Sequence, residues 1–240
     1  MLIEDLTCWT GMSNKRSQYL GMDAPDSQFH LRKAPDGWWE NYPVQDFNYE
    51  FNEWGFRGPD YDEYIHQPVN ICLGDSFTVN LGGPIEYSWA SQLKPVLDLP
   101  TINLSMNGAG NDALRLVYDR ACKIFDVQKT FVMYSYFHRR LIDNEFAHYG
   151  GNTRFKPAPL HTDQENFNYF EQFFIDEAYH IFLPTWNYTN TELKYIEKYS
   201  NFKYPTSSRK KWVNRDFHHM NKELNFKIAR YFYELSCTDS

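Results

Sequence analysis

The chain has 240 residues, 42% hydrophobic and 23% charged, with a formal net charge of −7. That length suits one domain of the larger sort, with enough chain to bury a core. The acidic balance excludes broad nucleic-acid binding, which needs a basic face, and gives no support to an anionic membrane surface as partner.

The N-terminal Met1-Leu2-Ile3-Glu4-Asp5-Leu6-Thr7 has no basic n-region and no long apolar run, and no stretch reads as a membrane span. The four cysteines, Cys8, Cys72, Cys122 and Cys237, are widely spaced with no Cys-x-x-Cys pair. They read as small core hydrophobes of a reducing compartment, so a cytoplasmic location is the expectation. Residues 1–45 form an N-terminal extension expected to pack on the core, with turns marked by Asp23, Pro25, Asp26, Pro35 and Gly37 and an apolar patch at Trp38-Trp39. From residue 46 a single domain is expected to run to 240. Gln45 to Glu53 alternates polar with aromatic residues and predicts a half-buried strand. Arg57, beside the Gly55 and Gly58 turn, reads as a structural clamp, with anion binding as the alternative.

Val69-Asn70-Ile71-Cys72-Leu73, apolar but for Asn70, predicts a buried strand. A short helix is expected over 87–94, ended or kinked by Pro95, then a second strand over 101–104. Leu114, Val117, Tyr118, Ala121, Cys122 and Phe125 recur at helical spacing and predict an amphipathic helix. Thr130 to Tyr136 is a third strand. Residues 140–178 interrupt the rhythm and read as an insertion carrying one helix from Asp163 to Tyr179. A fourth strand is expected over 180–184. The region 186–212 is polar and aromatic, and its Arg209-Lys210-Lys211 run reads as solvated surface. Leu224, Ile228, Tyr231, Phe232 and Leu235 predict a closing helix. Strands alternating with helices imply right-handed crossovers and a parallel sheet.

The chemistry concentrates in three short blocks. Gly74-Asp75-Ser76-Phe77 comes after the first strand, where open α/β sheets place their ligands. Asn103-Leu104-Ser105-Met106-Asn107-Gly108 comes after the second. Asp216-Phe217-His218-His219 precedes the closing helix. A serine hydroxyl is a poor nucleophile until a base takes its proton. Imidazole titrates near neutral pH and suits that task, and a carboxylate accepting the other ring N–H orients it. The plainer readings are Ser76 as a helix cap, Asn111 as an N-cap, His138 as a buried structural histidine, and Asp75 as a holder of the loop. His218, His219 and Asp216 have an alternative reading as metal ligands, against which adjacent histidines diverge.

Taken in order over roughly 52–235, the three blocks resemble those of the SGNH (GDSL-type) hydrolases. The resemblance implies a three-layer α/β/α sandwich on a flavodoxin-like parallel sheet of four or five strands. It implies Ser76 as nucleophile, His219 as base, Asp216 as its orienting acid, and the backbone N–H groups of Ser76 and Gly108 as an oxyanion hole. That family adds an Asn from a Gly-x-Asn-Asp block after the third strand, and here the stretch is Tyr134-Ser135-Tyr136-Phe137-His138-Arg139. His138 or Asn111 is the expected substitute. The implied activity is a serine esterase or deacylase acting on a small acyl ester, in one version on a carbohydrate, with no metal or organic cofactor. The alternatives are acyl transfer by the same triad and a non-catalytic binding or structural protein on the same scaffold.

Overall fold

In the computed structural model, residues 11–20, 23–24, 34–39, 41–44, 46–143, 145–148, 161–183, 188–202, 211–216 and 218–238 are described. Cys8, the turn markers Pro25 and Asp26, and Arg209-Lys210 lie outside them, as do the N-terminal heptapeptide and part of the insertion.

Short strands Arg16–Ser17 (β1) and Tyr49–Glu50 (β2) pair antiparallel. The alternating Gln45 to Glu53 stretch therefore contributes a two-residue strand, plus an isolated bridge from Phe51 to Arg57. The architecture rests on Pro68–Leu73 (β3), buried at every position after Pro68. A run without polar alternation belongs in a parallel sheet covered on both faces. Period two then divides the side chains: Val69, Ile71 and Leu73 join one core cluster and Cys72 the other.

Two short helices come next, Ser76–Val79 (α1) and Trp89–Leu93 (α2), the second running directly into a 3-10 turn that contains Pro95. Thr101–Asn103 (β4), Asp126–Tyr134 (β5) and Tyr179–Phe182 (β8) complete the main sheet. All pairings are parallel and the order is β4-β3-β5-β8. In chain order this is 2-1-3-4, the flavodoxin-like arrangement, with four strands among the described residues.

Helix Asn111–Ile124 (α3) covers one face with Ala113, Leu114, Val117, Ala121 and Ile124. Cys122 is exposed, not on the buried stripe. It stands one residue past Ala121, about 100° round the helix, and so turns away from the sheet. The other face is covered by α2 and by Lys222–Ser236 (α6), through Trp89, Leu93, Leu224, Ile228 and Phe232.

The insertion holds a hairpin, Arg139–Ile142 (β6) with Glu145–His148 (β7), and helix Asp163–Glu171 (α4), which stops well short of Tyr179. Asp143 at the hairpin turn has φ +50°, a left-handed conformation to which Asp is suited. A further helix, Asn190–Tyr199 (α5), occupies the polar region where none was expected. Its signal is local: Thr189 and Glu192 form a capping box, as do Thr162 and Glu165 ahead of α4.

Phe232 of α6 packs on Trp89 at 4.8 Å and meets Phe131 of β5 at 5.6 Å. Phe232→Ala removes the aromatic link between that helix layer and the sheet. It is expected to cost about 3–5 kcal/mol of unfolding free energy, measured by urea denaturation; a loss under about 1 kcal/mol would mean the cavity closes by repacking.

Candidate functional site

The order 2-1-3-4 leaves a crevice at the carboxyl ends of β3 and β5, the topological switch point of the sheet. Both strands deliver polar residues there. After β3 the chain turns sharply at Gly74, where a Cβ would lie 2.0 Å from Thr78 Oγ1. Only glycine lets α1 close down on its own strand. Asp75 is the N-cap of α1 and accepts the Phe77 N–H at 3.0 Å. Its other oxygen accepts from Ser135 Oγ at 2.8 Å and from Arg139 Nη1 at 2.5 Å. Asp75 is thus a loop holder tying β3 to the end of β5, and Ser76 is the first helical residue rather than the cap.

The four-residue helix α1 ends at Asn80, in the left-handed region at φ +60°. Arg57 fixes the loop from Val79 to Gly83: Nη1 donates to the carbonyls of Val79 and Asn80, each at 2.8 Å, and Nη2 to Gly83 at 3.1 Å. Burial draws its pKa down to about 10, still high enough to keep the guanidinium charged at neutral pH. Arg57 is a clamp.

The base arrives on a separate loop. Val213 and Met220 form a bridge, and the Asn214 N–H donates to the His219 carbonyl at 2.7 Å. Between them stand Asp216 and His219. His219 Nε2 lies 2.9 Å from Ser76 Oγ, and its Nδ1 is hydrogen-bonded to Asp216 Oδ2. A carboxylate only accepts, so Nδ1 carries the proton and Nε2 faces Ser76 as acceptor. Asp216 Oδ1 accepts the backbone N–H groups of His218 and His219, both at 3.0 Å. Ser76, His219 and Asp216 are 4%, 1% and 0% exposed. The structure thus brings together the three residues named from the outer sequence blocks. Phe77 packs on the His219 ring at 4.5 Å between centroids.

Two glycines admit this loop. Gly82 has φ +74°, and a Cβ there would lie 2.8 Å from the Asp216 carboxyl carbon. A Cβ at Gly83 would lie 2.8 Å from Asn214 Nδ2. The Asn214 amide donates to Leu81 O at 3.0 Å and to Asn80 Oδ1 at 3.1 Å, and the Asn225 amide also donates to Asn80 Oδ1 at 3.1 Å. This asparagine net joins the serine loop to the histidine loop and to α6, and no motif in the sequence announces it.

The loop after β4 is tied in by Met106, whose N–H donates to Gly74 O at 3.0 Å. Gly108 takes φ +84° there. Among the described residues, the backbone N–H groups of Ser76 and Gly108 have no hydrogen-bond acceptor. Asn111 is not the N-cap, and one N–H of its carboxamide is committed. Gly110 is the N-cap of α3, and the Asn111 carboxamide pairs with the Ser135 backbone, accepting its N–H at 2.7 Å and donating to its carbonyl at 3.1 Å. His138 is half-buried with its ring 5.2 Å from that of Tyr136. The rings of His218 and His219 stand at 89° to each other, and among the described residues no group of three or more His, Cys, Asp or Glu could hold a metal ion.

No protein-family model matches the chain, and no curated protein matches it. Among solved structures it is similar to one described as a "putative lipolytic protein of G-D-S-L family" from Desulfitobacterium hafniense DCB-2. The identity is 18% and the TM-score 0.41, over 70% of this chain and 98% of that one. No helix among the described residues is long and apolar enough to cross a membrane.

The electrostatics of Asp216 generate a pH dependence. Burial works to raise its pKa, but the His219 imidazole and the surrounding hydrogen bonds outweigh it and bring the value down from 3.8 to about 2. A folded pKa below the unfolded one stabilises the native state above the unfolded pKa, and the contribution fades as pH falls through the folded one. The difference in unfolding free energy between wild type and Asp216→Asn is therefore expected to be constant at neutral pH and to shrink between about pH 4 and pH 2. Chemical denaturation at a series of pH values measures it; a difference independent of pH would contradict an ionised, stabilised Asp216.

Proposed function

We propose that the protein is a serine hydrolase of ester bonds, an esterase or deacylase working through an acyl-enzyme on Ser76. The observation that carries this reading is the continuous hydrogen-bond chain from Ser76 Oγ through the His219 ring to Asp216. In the proposed mechanism His219 Nε2 takes the Ser76 proton as Oγ attacks the ester carbonyl. Asp216 holds the tautomer and stabilises the imidazolium. The tetrahedral oxyanion is met by the N–H groups of Ser76 and Gly108, with a third donor from His138 or from the second N–H of the Asn111 amide, whose first is held by Ser135. The imidazolium then protonates the departing alcohol, leaving the acyl group on Ser76. Water, deprotonated by the same His219 nitrogen, attacks this acyl-enzyme and releases the acid.

The substrate class proposed is a small acyl ester, with a carbohydrate alcohol as one form. A hydroxyl acceptor taking the place of water would make the same chemistry a transfer.

A fluorophosphonate, which reports an activated serine, is expected to label the wild-type protein and to fail on Ser76→Ala and His219→Ala. Labelling of either variant at the wild-type rate would sink the proposal. Asp216→Asn is expected to slow turnover by about 10⁴-fold. His138→Ala is expected to lower kcat by about 10²–10³-fold with little change in KM, the signature of a donor used only in the transition state. An unchanged kcat in steady-state assays would remove His138 from the oxyanion hole.

A further inference from the structure

The loop carrying Asp216 and His219 is closed at its base by its own backbone, but its tip is held from the other end of the chain. The Arg215 N–H donates to Gly82 O at 3.2 Å, and the Arg215 carbonyl accepts Trp38 Nε1 at 3.1 Å. The Arg215 guanidinium, fully buried, is bidentate to Asp23: Nε reaches Oδ1 at 2.8 Å and Nη2 reaches Oδ2 at 2.5 Å. Asp23 Oδ2 also accepts the Tyr49 hydroxyl at 2.7 Å, and that hydroxyl accepts the Gly82 N–H at 2.7 Å. Asp23 and Tyr49 are both 0% exposed. The rings of Phe47 and Trp39 lie 4.2 and 5.0 Å from the guanidinium carbon.

Arg215 immediately precedes Asp216. A guanidinium buried at that point requires a carboxylate. If Asp23 did not supply one, the next in reach along the chain would be Asp216, whose Oδ2 is the partner of His219 Nδ1. The two carboxylates thus have separate tasks, Asp23 holding Arg215 and Asp216 holding His219. Tyr49 extends the arrangement, since the peptide it holds is that of Gly82, against which the Asp216 carboxyl group packs.

We propose that Asp23 is a positioning residue of the site: by engaging Nε and Nη2 of Arg215 it keeps that guanidinium from Asp216, and through the Tyr49 hydroxyl it fixes the Gly82 peptide that Asp216 rests on. The kinetic consequence rests on the serine-hydrolase reading; the structural consequence does not.

The test pairs two readouts. The proton between His219 Nδ1 and Asp216, in a charge-assisted hydrogen bond, is observable as a downfield imidazole resonance in ¹H NMR of the intact protein. Asp23→Asn keeps the size of the side chain and removes its charge. It is expected to shift or broaden that resonance and to slow fluorophosphonate labelling by about 10²-fold. Tyr49→Phe keeps the ring and its contact with Arg57 while removing the hydroxyl. It is expected to move the same resonance and to slow labelling by about tenfold; if Asp23→Asn does not fold, this variant decides the matter. Val117→Ala, on the buried face of α3, is expected to lower Tm and leave both readouts unchanged. An unmoved resonance in folded Asp23→Asn or Tyr49→Phe overturns the proposal, as does an equal shift in Val117→Ala. A resonance that moves in a protein whose wild type never labels upholds the positioning role and overturns the hydrolase reading instead.

Discussion

An ionised carboxylate with no exposure to water is the constraint on which the rest of this structure depends. Removing a carboxylate from water costs several kcal/mol even after the interior relaxes. Asp216 is compensated by the backbone N–H groups of His218 and His219 at one oxygen and the His219 ring at the other. Hydrogen bonds to a charged acceptor are worth about 1.5–3 kcal/mol each, enough to hold its pKa at about 2 in spite of burial. The Asp-x-x-His spacing accomplishes this within one loop: the carboxylate caps the backbone of the residues that carry the imidazole, so orientation of the acid and placement of the base are one event.

The same loop must then meet the serine loop, and a buried polar junction works only if nearly every group finds a partner. Asn80 shows how close the match is. Its carboxamide donates to Pro84 O at 2.7 Å, its oxygen accepts from Asn214 and Asn225, and its own carbonyl is taken by Arg57. Asn225 in turn accepts the Trp89 N–H at 2.8 Å, bringing α2 and α6 into register with the site. Among the described residues the buried Arg57 Nε has no hydrogen-bond partner, a cost tolerated where its Nη atoms bind three carbonyls of the loop behind Ser76.

Topology supplies the other half. The chain passes from β3 outward to β4 and back across to β5, so the ends of β3 and β5 are neighbours at the crevice. That adjacency makes Asp75 and Ser135 hydrogen-bond partners and lets Arg139 neutralise Asp75. Asp75, directly before the serine, is thereby committed to structure, while Asp216, far along the chain, is the carboxylate that faces the histidine. Both carboxylates keep the roles their sequence contexts suggest, one holding the turn and the other orienting the base.

Local structure is written in the chain itself. A run that is apolar but for Asn70 specifies β3, helical spacing specifies α3 and α6, and the glycine and polar residues after β3 mark a functional turn, because burial periodicity and backbone freedom are properties of neighbours in the chain. The spacing of Asp216 and His219 is legible for the same reason. The helix Asn190–Tyr199 is legible too, through the Thr189 and Glu192 capping box, but its polar composition hides it. The pairing of charges is settled only by the closed fold. Asn111 reads as a cap or a donor until Ser135 is seen across from it, and nothing local announces that Asp23 belongs to Arg215, 192 residues away. A buried charge is satisfied by whatever the fold brings alongside it, so its partner is fixed by the closing of the chain rather than by the residues on either side.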